Sequence, residues 1–170
     1  NIVNEKMNGN FYTFIKGVTL DTELFEIIVK YFPNFKDERI YNNKKIYFYK
    51  LAQLLTSDIL HIRELKENIK VDYSHLVGCS DYKIPQVMRG LGILKYSDKL
   101  SNIIDNKKEI ELISEYEVEI RANMLVVIDL IKKKLENRVC AIDINDYIWS
   151  QGRNKNIELK PYHLTRNTNY

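Results

Sequence analysis

Apolar positions along the chain recur mostly at three- and four-residue intervals, the period of amphipathic helices. The first clear run is Leu24, Ile27, Ile28, Tyr31 and Phe32, with Asp21 or Thr22 placed to cap it and Pro33 to stop it. A second helix is predicted over about 47–65. Phe48, Leu51, Leu55 and Ile59 share one face, and Lys50, Gln53, Ser57 and Asp58 form an adjacent polar strip. Ile84, Val87, Met88 and Leu91 repeat the period, with Pro85 tolerated in the first turn and Gly92 placed to end the helix. Ser97 caps a short helix carrying Leu100, Ile103 and Ile104. Ser114-Glu115-Tyr116-Glu117 is a capping box that opens the longest stripe: Ile120, Met124, Val127, Ile128, Ile131 and Leu135. Asp143 caps a last helix, with Ile144, Tyr147 and Ile148 inside and Gly152 near its end.

Between these runs, 70–80 is irregular and 161–170 reads as an extended strap over the helices. Asn42-Asn43 marks a turn between Arg39-Ile40-Tyr41 and Lys45-Ile46-Tyr47, enough for at most a minor hairpin. The expectation is an all-α class, a single compact helical domain over 1–170. With no Met ahead of Asn1, the chain reads as part of a longer protein.

Composition narrows the function classes. The 170 residues suffice for one core, and 45% hydrophobic with 29% charged residues is an ordinary globular balance. A net charge of +3, with both signs interspersed, is too weak to mark a nucleic-acid surface, so no stable nucleic-acid partner is expected. No apolar run approaches the roughly 20 residues that span a bilayer, so no membrane partner is expected. Cys79 and Cys140 fit neither a disulfide framework nor a metal spacing, which points to a reduced, cytoplasmic setting.

His61, His75 and His163 are scattered, and no metal site is predicted from them. Ser57, Ser80 and Ser97 lack a neighbouring base, and Gly90-Leu91-Gly92 follows a helix, not a strand, so it is no phosphate loop. Three features resist a purely structural reading. The first is the strip Lys50, Gln53, Asp58, which is either a solvated face or a pocket wall. The second is Asp81, at a loop-to-helix junction, either an N-cap or a carboxylate held rigidly at a pocket. The third is Arg121 beside the longest apolar stripe, with Asp146 and Trp149 on a shared face further on. An Arg121–Asp146 ion pair of purely structural kind fits the same spacing.

These features fall within motifs of one family. Phe48-Tyr49-Lys50-Leu51-Ala52-Gln53, followed by an apolar run and Asp58, resembles FYKRAQ with its apolar run and Asp. Residues 80–97, from Ser80-Asp81-Tyr82 to Lys95-Tyr96-Ser97, resemble ADYRxPQxLxxLGxLxYS. Glu117-Val118-Glu119-Ile120-Arg121-Ala122 is similar to EVEIRA, and Asp146-Tyr147-Ile148-Trp149 to DYxLW. The tail, Pro161-Tyr162-His163-Leu164-Thr165-Arg166 with Tyr170, resembles PHHRTR and a terminal Tyr. In order and spacing, the motifs resemble the queuosine salvage family, the queuosine 5'-phosphate N-glycosylase/hydrolases. Leu51, Ser80 and Tyr162 depart from its pattern, at Arg, Ala and His positions respectively.

The resemblance implies an all-helical fold related to helix-hairpin-helix DNA glycosylases. It implies that this chain is the C-terminal part of an enzyme about twice as long, whose N-terminal half packs against it. The implied reaction is hydrolysis of queuosine 5'-monophosphate to queuine and ribose 5-phosphate, without cofactor or metal. Cleavage of an N-glycoside develops positive charge on the sugar, which a fixed carboxylate stabilises. Asp81 is assigned that role. A 7-deazapurine has no N7 lone pair to protonate, so more of the barrier falls on sugar-cation stabilisation and positioning. Lys50 is expected to hold ribose or phosphate and steer charge. Asp146 and Asp58 suit the secondary ammonium and diol of queuine, and Tyr82 and Trp149 suit stacking. Arg121, His163 and Arg166 are candidate phosphate donors, and Gln53 joins the substrate-binding set. Lys50, Asp146 and Trp149 are expected to converge with Asp81 on one concave site. The competing readings are a non-catalytic helical module binding RNA or a partner protein, and a glycosylase acting on intact nucleic acid.

Overall fold

The computed structural model describes residues 2–170, and it is mixed in class: mostly helical, with one antiparallel sheet. The order is α1 (Ile2–Lys6), α2 (Phe11–Lys16), α3 (Asp21–Tyr31), a 3-10 turn (Pro33–Phe35), β1 (Glu38–Tyr41), β2 (Lys44–Tyr47), α4 (Lys50–Glu67), α5 (Lys83–Gly90), α6 (Asp98–Asp105), α7 (Glu115–Lys134) and α8 (Ala141–Gln151). The two strands pair in full register, Glu38 with Tyr47 through Tyr41 with Lys44. This corrects the all-α expectation, and the affiliation to helix-hairpin-helix DNA glycosylases that came with it is set aside. The cause lies in the turn. Asn42 and Asn43 take φ of 48° and 60°, the paired left-handed conformation that closes a two-residue hairpin. The apolar pattern hid the sheet because its inward residue is the buried Arg39, whereas Ile40 is 64% exposed.

The hairpin also moves the start of α4. Residues 44–47 belong to β2, Tyr49 is left-handed at φ 47°, and the helix begins at Lys50. Its buried face is Ala52, Gln53, Thr56, Ser57, Ile59, Leu60 and Arg63, so the polar strip is turned inward over much of its length. The short helices α1 and α2 escaped the periodicity, although Asn10 caps α2 by accepting from Thr13 N at 2.9 Å. Asp21 is the first residue of α3, not its cap; its carboxylate accepts from Asp72 N at 2.7 Å and faces Arg63 at 3.8 Å.

The remaining caps follow the sequence more closely. Ser97 and Ser114 accept from Leu100 N and Glu117 N, each at 3.3 Å. Glu117 turns inward to Arg121 rather than back to its cap, so only half of that capping box forms. Asp143, by contrast, lies inside α8 and is not its cap: Cys140 holds that position, and the Asp143 carboxylate accepts from Cys140 N at 3.0 Å. Gly92, at φ 73°, follows the end of α5.

Apolar packing gathers in separate clusters. One joins α2, α3 and α4 through Ile15, Leu24, Ile28, Ala52 and Leu60. Another joins α5, α7 and α8 through Ile84, Val87, Met88, Met124, Ile128, Ile144 and Ile148. The irregular segment between α4 and α5 passes between them, and its Leu76 and Cys79 bury against Ile142 of α8. Gly78 there takes φ 118°, and a Cβ would stand 3.0 Å from Ile128 Cδ1, so this approach of segment to helix requires glycine. The tail runs extended and is held where Ile110 N donates to Leu164 O at 2.8 Å. No helix among the described residues is long and apolar enough to cross a membrane.

Candidate active site

Asp81 makes the cap that its position predicts. Its Oδ1 accepts from Lys83 N at 2.9 Å and Ile84 N at 3.1 Å, which caps α5. Its side chain is nonetheless almost wholly enclosed, at 8% exposure. Oδ2 makes no hydrogen bond among the described residues. Burial raises the Asp81 pKa above the usual carboxylate range, against the opposing pull of the two backbone amides, Lys50 and Arg121. The cap therefore fixes one oxygen and leaves the other available.

Three further charges act through space on the neighbouring Cys79. Lys50 opens α4, Asp58 lies two turns on, and Asp146 projects from α8. Lys50 acts on Asp81, Asp58 and Cys79 through space, and forms no salt bridge within 4 Å among the described residues. The Asp58 pKa is raised, first by partial burial and then by the charge of Asp146. Burial lifts the Cys79 thiol to about 12, with Asp146, Asp81 and Asp58 adding to the rise, so it stays protonated and is no nucleophile at neutral pH. One ammonium and three carboxylates form a quartet with an excess of negative charge, suited to a ligand that carries or develops positive charge.

Asn145 organises this corner. Its Oδ1 accepts from Cys79 N at 2.9 Å and its Nδ2 donates to Asp146 Oδ1 at 2.9 Å. It was not foreseen, because a buried Asn on an amphipathic helix has no periodic signature. Tyr82 packs on Tyr162 with ring centroids 4.7 Å apart, both partly exposed. Trp149, one turn beyond Asp146 on α8, lies under the Arg153 guanidinium at 4.9 Å. Lys83 crosses Gly152 so closely that a Cβ there would stand 2.5 Å from Lys83 Cε. This brings the start of α5 against the end of α8.

The convergence is that of charges on an open face rather than an enclosed pocket. Asp58 and Asp146 are exposed and Lys50 is half-buried. Clefts of about 430 Å³, lined by Arg89, Tyr96 and Lys160, and about 400 Å³, lined by Ile131, Leu135 and Tyr147, lie elsewhere.

Other candidates are committed away from this face. Gln53 donates to Phe48 O at 2.8 Å and accepts from Val77 N and Gly78 N at 2.8 and 3.1 Å, so it staples the segment to α4. Arg121 is 0% exposed and pairs with Asp37 and Glu117, not with Asp146. His163 is buried, and burial followed by the charge of Arg121 lowers its pKa to about 4. Its Nε2 meets Tyr170 Oη at 3.2 Å, and Tyr170 Oη donates to Glu117 at 3.1 Å. Arg166 is 92% exposed and faces Glu109 at 3.0 Å. The buried ion cluster of Asp37, Arg39, Glu117 and Arg121 spans 84 positions of sequence, and of these only Arg121 had been singled out as a site candidate.

Comparison with known proteins bears on this arrangement. The family model described as queuosine salvage protein matches residues 1–170. A queuosine 5'-phosphate N-glycosylase/hydrolase of Dictyostelium discoideum is 32% identical over 166 residues, covering 95% of this chain and 52% of that protein. Proteins of the same name from Sphaerobacter thermophilus and Mus musculus are 31% and 32% identical, over 99% and 97% of this chain and 54% and 53% of their own lengths. The chain thus spans about half the length of these relatives. With a match along its whole length, it belongs to the queuosine salvage protein family.

Proposed function

We propose that the protein to which this chain contributes hydrolyses the N-glycosidic bond of queuosine 5'-monophosphate, releasing queuine for salvage into tRNA modification. The relatives carry that activity in their names. The observation that carries the reading here is the state of Asp81: enclosed, pinned through Oδ1, without a hydrogen bond at Oδ2 among the described residues, and within the field of the Lys50 ammonium. Oδ2 faces the anomeric carbon and stabilises the positive charge that grows there as the bond breaks, and it orients the attacking water. Lys50 holds the ribose or phosphate oxygens. No side chain has to protonate N7, which the deazapurine lacks, so positioning and charge stabilisation carry the reaction.

Asp58 and Asp146 receive the cationic side arm of the base, and Tyr82 and Trp149 give it flat surfaces. Gln53, Arg121 and His163 are occupied in holding the fold, and we assign them no contact with substrate. The open face of the quartet is where we place further chain of the full-length enzyme, which completes the pocket. Free thiols, one buried and one half-buried, suit a reducing cytoplasm.

The test is release of queuine from queuosine 5'-monophosphate by the full-length enzyme. Asp81→Asn keeps the cap geometry and removes the charge. Its kcat is expected to fall by about 100-fold or more. Retention of more than about a tenth of wild-type turnover, on the scale expected for such groups, overturns the role given to Asp81.

A further inference from the structure

We propose that Arg121 and Asp37 are positioning residues that set the separation between Asp81 and Lys50, an inference that rests on the activity proposed above. The pair touches neither group. Each partner instead holds the backbone beside one of them. Arg121 Nε donates to Ser80 O at 3.1 Å, and Ser80 Oγ donates back to Arg121 O at 3.1 Å. The residue before Asp81 is thereby gripped in both directions. The Asp37 carbonyl accepts from Phe48 N at 2.9 Å and Tyr49 N at 3.3 Å, the two residues before Lys50. The two grips are joined by a double contact, Arg121 Nη1 to Asp37 Oδ1 at 3.1 Å and Nη2 to Oδ2. A continuous path therefore runs from Lys50 through Tyr49, Asp37, Arg121 and Ser80 to Asp81.

The surroundings make this link rigid. Arg121 is wholly buried between the rings of Phe48, at 4.0 Å, and Tyr170, at 4.5 Å. Glu117 and Arg39 complete a cluster of two cations and two anions, with Arg39 Nη1 3.1 Å from Asp37 Oδ1 and Arg39 Nε 3.5 Å from Glu117 Oε2. Apolar residues of similar volume fill such a space at equal or better stability, so a buried cluster is a poor device for stability alone. What it adds is fixed geometry. Tyr49 shows where that geometry is used: a non-glycine residue held left-handed, without a side-chain cap, at the first turn of the helix that presents Lys50.

The experiment measures single-turnover and steady-state release of queuine from queuosine 5'-monophosphate by the full-length enzyme. It uses Arg121→Lys, Asp37→Asn and the double variant. A lysine keeps the charge but cannot serve Ser80 O and both Asp37 oxygens together. In each single variant kcat is expected to fall by about 10- to 100-fold, the scale of an ångström-level misplacement, with KM within about threefold. The double variant loses about as much as the worse single one, because the two residues form one link. Ile104→Val, in the buried cluster of α6 and away from the link, lowers Tm and leaves kcat within about twofold.

Folded Arg121→Lys and Asp37→Asn variants with wild-type kcat, or with the loss confined to KM, overturn the inference. If those variants do not fold, Asp37→Glu keeps the ion pair and lengthens the link by one methylene. A fall in kcat of about fivefold or more is then expected, and unchanged kcat overturns the inference. If the wild-type enzyme releases no queuine, the proposed activity fails, and the link is judged by amide exchange. In Asp37→Asn the Tyr49 and Lys83 amides are expected to exchange faster together. Acceleration at Tyr49 alone overturns the link.

Discussion

Asn145 joins two parts of the site with one amide group. Its oxygen satisfies the buried Cys79 N–H and its nitrogen orients Asp146. Asn145→Ala leaves that N–H without a partner, so the chain is expected to lose about 1–3 kcal/mol in denaturant unfolding. In the full-length enzyme the same variant is expected to raise KM more than it lowers kcat, because Asp146 is freed while Asp81 is untouched. A KM equal to wild type in a folded variant would remove Asp146 from the binding set. At this scale the sequence was uneven. Asp81 and Lys50 drew attention because they sit in specific motifs at a helix entrance and on a polar strip. Asn145 and Asp37 went unnoticed, because Cys79 and Arg121, which they meet, lie 66 and 84 positions away and no local period encodes them. Arg121 was noticed but given the wrong acid, since sequence spacing says nothing about which carboxylate a buried guanidinium meets.

The helices that were read correctly are those whose apolar stripe is also the buried stripe. α5 and α7 bury Ile84, Val87, Met88, Ile120, Met124 and Ile128, as the period demands. The hairpin was underestimated because its inward position is an arginine satisfied by ion pairing, which a hydrophobic pattern cannot register. The tail was legible only as extended. Beside its bond to Ile110 N, it buries His163, which meets Tyr170 and stands within the field of Arg121. An imidazole with a lowered pKa in the folded chain takes up its proton more readily once unfolded. Its contribution is therefore complete above about 6.5 and is lost as pH falls toward about 4. Asp58 and Asp81, raised by burial, act in the opposite sense over acid pH. Urea unfolding of wild type and His163→Gln across this range isolates the ring. The difference in stability between them is expected to shrink as pH falls from 6.5 to 4. A difference that stays constant would show that the tail is held without regard to the charge on His163.

Across the whole molecule, the helices lay in the periodicity, but their division into separate apolar clusters did not, because three-dimensional neighbours leave no mark in a linear pattern. That division separates the groups proposed to act on the substrate. Lys50 and Asp58 ride on the helix that packs with α2 and α3, whereas Asp81 and Asp146 belong to the α5, α7 and α8 cluster. Turnover requires both clusters to be intact at once, whereas most of the helical content survives the loosening of either one. Heat is therefore expected to extinguish queuine release at a lower midpoint than it abolishes far-ultraviolet ellipticity, and coincident midpoints would mean that the clusters melt as one. A protein divided in this way carries its own thermal fuse, failing silently while still looking folded.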